Sequence, residues 1–90
     1  MKHIRKVRVK NHLGLHTRPA TLIVKLLQNV KCEVMFTYKD LTINAKSILS
    51  ILMLAAKKNS SITITTAGEE AETILIKLVD AFENQFGEYS

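Results

Sequence analysis

The segment Gly14-Leu15-His16-Thr17-Arg18-Pro19-Ala20 holds the residues best suited to chemistry. Imidazole is a nucleophile near neutral pH, and a guanidinium can hydrogen-bond phosphate oxygens in pairs. Pro19 has no N–H to lose and a backbone preset for a first helical turn, so a helix starts within a few residues of His16. The first amides of a helix lack intrahelical partners and sit at the positive end of its dipole. The backbone of Thr17 and Arg18, with the Arg18 side chain, therefore makes an anion site beside His16. That is what phosphoryl transfer to histidine requires: the neutral ring attacks phosphorus, and the donors stabilise the arriving oxygens. A capping or surface histidine is the commoner meaning of a lone His near a helix start, but the Gly-X-His-X-Arg-Pro context favours the chemical one. His3 and His12 lack that context and read as surface residues. No spaced set of metal ligands accompanies the histidines, so neither a metal nor another cofactor is expected.

The elements around this segment follow from periodicity. Arg5, Val7 and Val9 alternate with Lys6, Arg8 and Lys10, as in a half-buried strand. Over residues 17–30, Leu22, Ile23, Leu26, Leu27 and Val30 form one face of a helix. Cys32, Val34, Phe36 and Tyr38 alternate with polar neighbours and predict a second strand with its core side on those four residues. Lys39-Asp40 turns the chain into a short third strand at 41–44. A second helix starts at about Ser47, and Lys57-Lys58-Asn59 supplies a cationic last turn and a left-handed cap. Ile62 and Ile64 mark a fourth strand. Ala71, Ile74, Leu75, Leu78, Val79, Phe82 and Phe86 predict a last helix of four turns, followed by Gly87. The order is β-α-β-β-α-β-α. It predicts an α+β fold, a four-stranded antiparallel sheet covered on one face by three helices, in a single domain over residues 1–90.

Composition limits the alternatives. Ninety residues, 47% hydrophobic and 23% charged, suit one globular core. One cysteine excludes an internal disulfide framework. No apolar run is long enough for a membrane span and no secretory signal opens the chain, so a cytoplasmic location is expected, without membrane insertion. Charge is divided: residues 1–58 carry 12 Lys or Arg against 2 acids, and residues 59–90 carry one Lys against 6 acids. A basic half suits a phosphate, an acidic partner or a nucleic acid. A nucleic-acid module would need aromatic residues among the basic ones for stacking, and most of the five here fall in core periodicity.

Three stretches carry a resemblance to a known family. Residues Asn11-His12-Leu13-Gly14-Leu15-His16-Thr17-Arg18-Pro19-Ala20 resemble the active-site signature of HPr, the histidine-containing phosphocarrier family of the bacterial phosphoenolpyruvate-dependent phosphotransferase system. Ala45-Lys46-Ser47-Ile48-Leu49-Ser50-Ile51-Leu52-Met53-Leu54 resembles its regulatory-serine motif, and Ile62-Thr63-Ile64 to Ala67-Gly68-Glu69-Glu70 its strand-to-last-helix junction. The resemblance implies the family's open-faced β-sandwich. It also implies a carrier, not an enzyme in its own right, that takes the phosphoryl group on Nδ1 of His16 from Enzyme I and passes it to an EIIA-type domain. Arg18 would be the phosphate-binding arginine. The small polar residue usual in sugar-transport members is replaced by Leu13, and Leu-Gly-Leu-His and Ile-Leu-Met-Leu resemble the nitrogen-related branch. Sugar transport and a nitrogen-related regulatory chain are thus the two destinations to consider.

The second helix adds two expectations. Between Ile48 and Ala56 only Ser50 is polar, yet a short helix on a sheet buries about half its surface. Some of Ile48, Leu49, Leu52 and Met53 should therefore be exposed as a docking patch. The resemblance assigns Ile48, Leu49 and Leu52 to partner docking, with Ala20, Thr21 and Lys25 beside His16 on the same face. Ser47 suits a helix N-cap. Through the resemblance it also matches the serine modified by a regulatory kinase, HPr kinase/phosphorylase, in some bacteria. A monomer is expected.

Overall fold

Alternation of apolar and polar residues gives each strand one dry face. The computed structural model describes residues 1–89. The elements are β1 (Lys2–Arg8), α1 (Thr17–Leu26), β2 (Glu33–Tyr38), β3 (Leu41–Asn44), α2 (Ile48–Met53), β4 (Ser61–Ala67) and α3 (Ala71–Glu83). The strands form one antiparallel sheet in the order β1-β4-β2-β3. Three helices cover one face, as the sequence predicts. Val7, Val34, Phe36, Ile43, Ile62 and Ile64 point into that core from the sheet; Ala20, Ile23, Ile51, Ile74, Leu78 and Phe82 meet them from the helices. The rings of Phe36 and Phe82 pack edge to face, with centroids 5.7 Å apart. Such a pair adds about 1 kcal/mol beyond its buried area. The other face is polar, with the Thr37 and Thr42 hydroxyls 2.8 Å apart across β2 and β3.

The helices end earlier than periodicity predicts, each for a local reason. α1 stops at Leu26, not at residue 30, because Gln28 and Val30 donate to carbonyls three residues back and Asn29 turns left-handed at φ 66°. α2 stops at Met53, well short of Lys57-Lys58-Asn59. Leu54 and Ala55 also bond three residues back, and Ala55 takes φ 51°. The carbonyl of Ala56 is then free to accept Leu15 N–H at 2.9 Å. Asn59 is left-handed as expected, but in the turn into β4, where its N–H donates to Val9 O at 2.7 Å. α3 stops at Glu83, and Phe86 lies beyond it in a 3-10 turn at Gln85–Gly87. Its ring nevertheless stays in the core, 4.8 Å from that of Phe82. Of the predicted strand-face residues, Cys32, Val34 and Phe36 are buried and Tyr38 is half-buried.

Candidate functional site

The loop between β1 and α1 is tied down from both sides. Gly14 has φ 70°, and a Cβ there would come within 2.4 Å of Ala56 O and 2.9 Å of Lys57 Cα. Only glycine allows this approach. Leu15 is buried and bonded to Ala56 O. Asn11, fully buried, brackets the loop: its carbonyl accepts Gly14 N–H at 3.2 Å and its Nδ2 donates to Gly14 O at 2.7 Å.

This clamp leads directly into the helix. His16 is the N-cap of α1, with extended backbone (φ −82°, ψ −168°), and its carbonyl accepts Ala20 N–H. No side chain caps the helix, so the amides at its start keep their donor capacity. The His16 side chain is 31% exposed. Nε2 faces both carboxylate oxygens of Glu88, at 3.0 and 2.9 Å. Nδ1 has no hydrogen-bond partner among the described residues. The Arg18 side chain is exposed, and its Nε stands 3.8 Å from Glu88 Oε2. Asn11 Nδ2 also donates to Glu88 Oε1 at 2.9 Å. Burial pushes the Glu88 carboxyl up. Hydrogen bonds from His16 and Asn11, with the charges of His16 and Arg18, outweigh that and hold it below its ordinary value.

The structure thus brings His16, Thr17 and Arg18 together at one helix start, and adds Asn11 and Glu88, which sequence reasoning missed. Glu88 is 72 residues from His16, and a contact over that separation has no periodicity to betray it. The signal available for Asn11 was a polar residue continuing the buried alternation of Val7 and Val9. Leu13 is exposed, and the hydrogen-bond partner of the ring is Glu88.

The docking expectation divides. Leu49 is 70% exposed, Ile48 37%, and Leu52 half-buried, while Ile51 faces the core. α1 packs against α2, and Lys25 is exposed and Thr21 half-buried on it. Arg18, Thr21, Leu22 and Lys25 line a shallow hollow on α1. Ala20 is a correction: it is fully buried beneath α1, so it supports this face from inside and presents nothing to a partner. Ser47 is the N-cap of α2, its hydroxyl accepting Ser50 N–H at 3.2 Å. His12 is exposed and His3 half-buried. Among the described residues no three His, Cys, Asp or Glu side chains gather to hold a metal ion, and no helix is long and apolar enough to cross a membrane. Phe36, Phe82 and Phe86 are buried, which removes most of the stacking surface that a nucleic-acid module needs.

Fold and site together define a small open-faced sandwich that presents one histidine at an uncapped helix start. The family profile described as "PTS HPr component phosphorylation site" matches residues 4–84, and the chain belongs to that HPr family. It is similar to the phosphocarrier protein HPr of Chlamydia pneumoniae, with 52% identity covering 89% of this chain and 74% of that protein. Among solved structures, HPr-C-His from Thermoanaerobacter tengcongensis superposes with a TM-score of 0.92 at 30% identity, covering 98% of this chain and 99% of that one. The HPr of Bacillus anthracis gives a TM-score of 0.85 at 36% identity, over 90% of this chain and 96% of its own. The general role of a phosphotransferase-system phosphocarrier follows from this membership.

Proposed function

We propose that this chain works as a single cytoplasmic domain that accepts a phosphoryl group on His16 from phospho-Enzyme I, charged by phosphoenolpyruvate, and hands it to an EIIA-type domain. The observation that carries this is the placement of His16 as N-cap of α1, beside amides no side chain satisfies. Thr17 and Arg18 N–H and the Arg18 guanidinium would take the phosphoryl oxygens. Partners would dock on Thr21, Lys25, Ile48, Leu49 and Leu52, where apolar surface is exposed beside the cations of α1.

Incubation with phosphoenolpyruvate and purified Enzyme I tests the reading by mass spectrometry. An acid-labile, base-stable phosphoryl adduct is expected in the wild type, in His3→Ala and in His12→Ala. It should be absent in a folded His16→Ala. An adduct that persists in His16→Ala overturns the assignment.

Ser47 is proposed as a site for a regulatory kinase of the HPr kinase/phosphorylase type. A phosphate there is tolerated by the positive end of α2 but adds charge and bulk at the start of the docking helix. Slower transfer from Enzyme I in a folded Ser47→Asp is the expected result, and equal rates would remove the proposal.

A further inference from the structure

Glu88 arrives at His16 by an unusual route. After α3 ends at Glu83, Gln85, Phe86 and Gly87 all adopt positive φ (55°, 54° and 80°). Two consecutive non-glycine residues in that region are costly and persist only where their surroundings hold them. Here the hold is the buried Phe86 ring packed edge to face on Phe82. The turn reverses the chain and brings the Glu88 carboxylate to the β1–α1 loop. The carboxylate is itself fixed there, because Oε1 accepts from Nδ2 of the fully buried Asn11. The Asn11 amide can take only this orientation, since both neighbours of Nδ2, Gly14 O and Glu88 Oε1, are acceptors. Both carboxylate oxygens then face the same ring nitrogen of His16.

An ionised carboxylate only accepts, so Nε2 carries the hydrogen and the neutral ring keeps its lone pair on Nδ1. We infer that Glu88, held by Asn11, is a positioning residue for His16: it locks the Nε2–H tautomer, aims Nδ1 at the phosphoryl donor and balances the charge the ring acquires. This rests on the phosphocarrier reading above. In the step, the Nδ1 lone pair forms the bond to phosphorus. The bond from phosphorus to the donor atom breaks, and that atom leaves with the electron pair. The proton stays on Nε2, and the ring becomes positive. The Glu88 carboxylate, 2.9 Å from Nε2, already faces that charge and needs no reorganisation to balance it.

The test uses the full chain as wild type, Glu88→Ala, Glu88→Gln and Glu69→Gln. Glu69 is exposed beside the Ala67 end of β4, which pairs with Lys2 and lies at the opposite end of the sheet from the His16 loop. Two quantities are measured: the ring ¹⁵N shifts of His16 above neutral pH, and the rate of phosphorylation by phosphoenolpyruvate and Enzyme I. The wild type and Glu69→Gln should show widely separated ring shifts, with Nε2 protonated. In Glu88→Ala the two shifts should move together and phosphorylation should slow roughly 10-fold. Glu88→Gln should restore the shift separation, since its carboxamide oxygen accepts from Nε2–H, but not the rate, since it carries no charge. A merely structural role would be rescued in both measurements. Unchanged shifts and rate in Glu88→Ala overturn the inference, and so does a faster Glu88→Ala, which would make the carboxylate a shield. If the wild type takes no phosphoryl group at all, the carrier reading fails, while the ring shifts still decide whether Glu88 sets the tautomer.

Discussion

Two helix starts in this molecule solve the same problem in opposite ways. At α2, Ser47 turns its own hydroxyl onto Ser50 N–H, so the terminus is closed by a neighbour three residues away. At α1, the N-cap is His16, whose ring turns away to Glu88 and makes no cap hydrogen bond. A helix terminus satisfied locally contributes to stability, whereas one left open keeps donors for an anion. The open start is more expensive to build. It needs Gly14 against Ala56, Asn11 fully buried, and a left-handed turn at residues 85–87 to set the Glu88 carboxylate against the His16 ring, whereas a single serine closes α2.

The sharpest way to break this contrast is at Arg18. Arg18→Glu places a carboxylate at the open start, and phosphorylation of His16 is expected to fall by about 100-fold or more with the fold intact. Wild-type labelling in that variant would mean that the open amides do not serve an anion. Gly14→Ala should come next. It combines a positive φ with a Cβ 2.4 Å from a backbone carbonyl, and should lower unfolding stability in a denaturant titration by about 3 kcal/mol. A loss under about 1 kcal/mol would show that the loop is not clamped.

Ser47→Ala addresses the closed start. Loss of an N-cap costs about 1 kcal/mol, and labelling of His16 should not change. Slower labelling would show that the two starts are coupled. The smallest effect is the pH dependence through Glu88. Its carboxyl is held below the ordinary value of 4.5 in the folded chain, so its stabilising contribution is present above that value and is lost as pH falls through the folded one. The stability gap between wild type and Glu88→Gln should therefore be wider at neutral pH than in acid. A gap that widens on acidification would reverse the sign and show that burial outweighs the hydrogen bonds from His16 and Asn11.

The parts of this protein legible in its sequence are those governed by near neighbours. Alternation at Val34 and Phe36, the 3.6-residue spacing of Ile74, Leu75, Leu78 and Phe82, and Pro19 in a first turn set strands, helices and the place of His16 at a helix start. Ser47 as a cap was readable for the same reason. Helix ends were less so. α2 stops at Met53 because Leu54 and Ala55 bond three residues back and Ala55 takes φ 51°, and the segment beyond it is fixed from the other side of the molecule, where Leu15 N–H donates to Ala56 O. Burial of Ala20 within α1, where an exposed contact residue was expected, depends on how the helix rotates onto the sheet. The anionic side of the site was decided by tertiary structure alone. A carboxylate meeting an imidazole across 72 residues is held by packing of Phe86 and by the buried amide of Asn11. Such a contact follows no period along the chain, because only the folded core fixes which distant side chains meet.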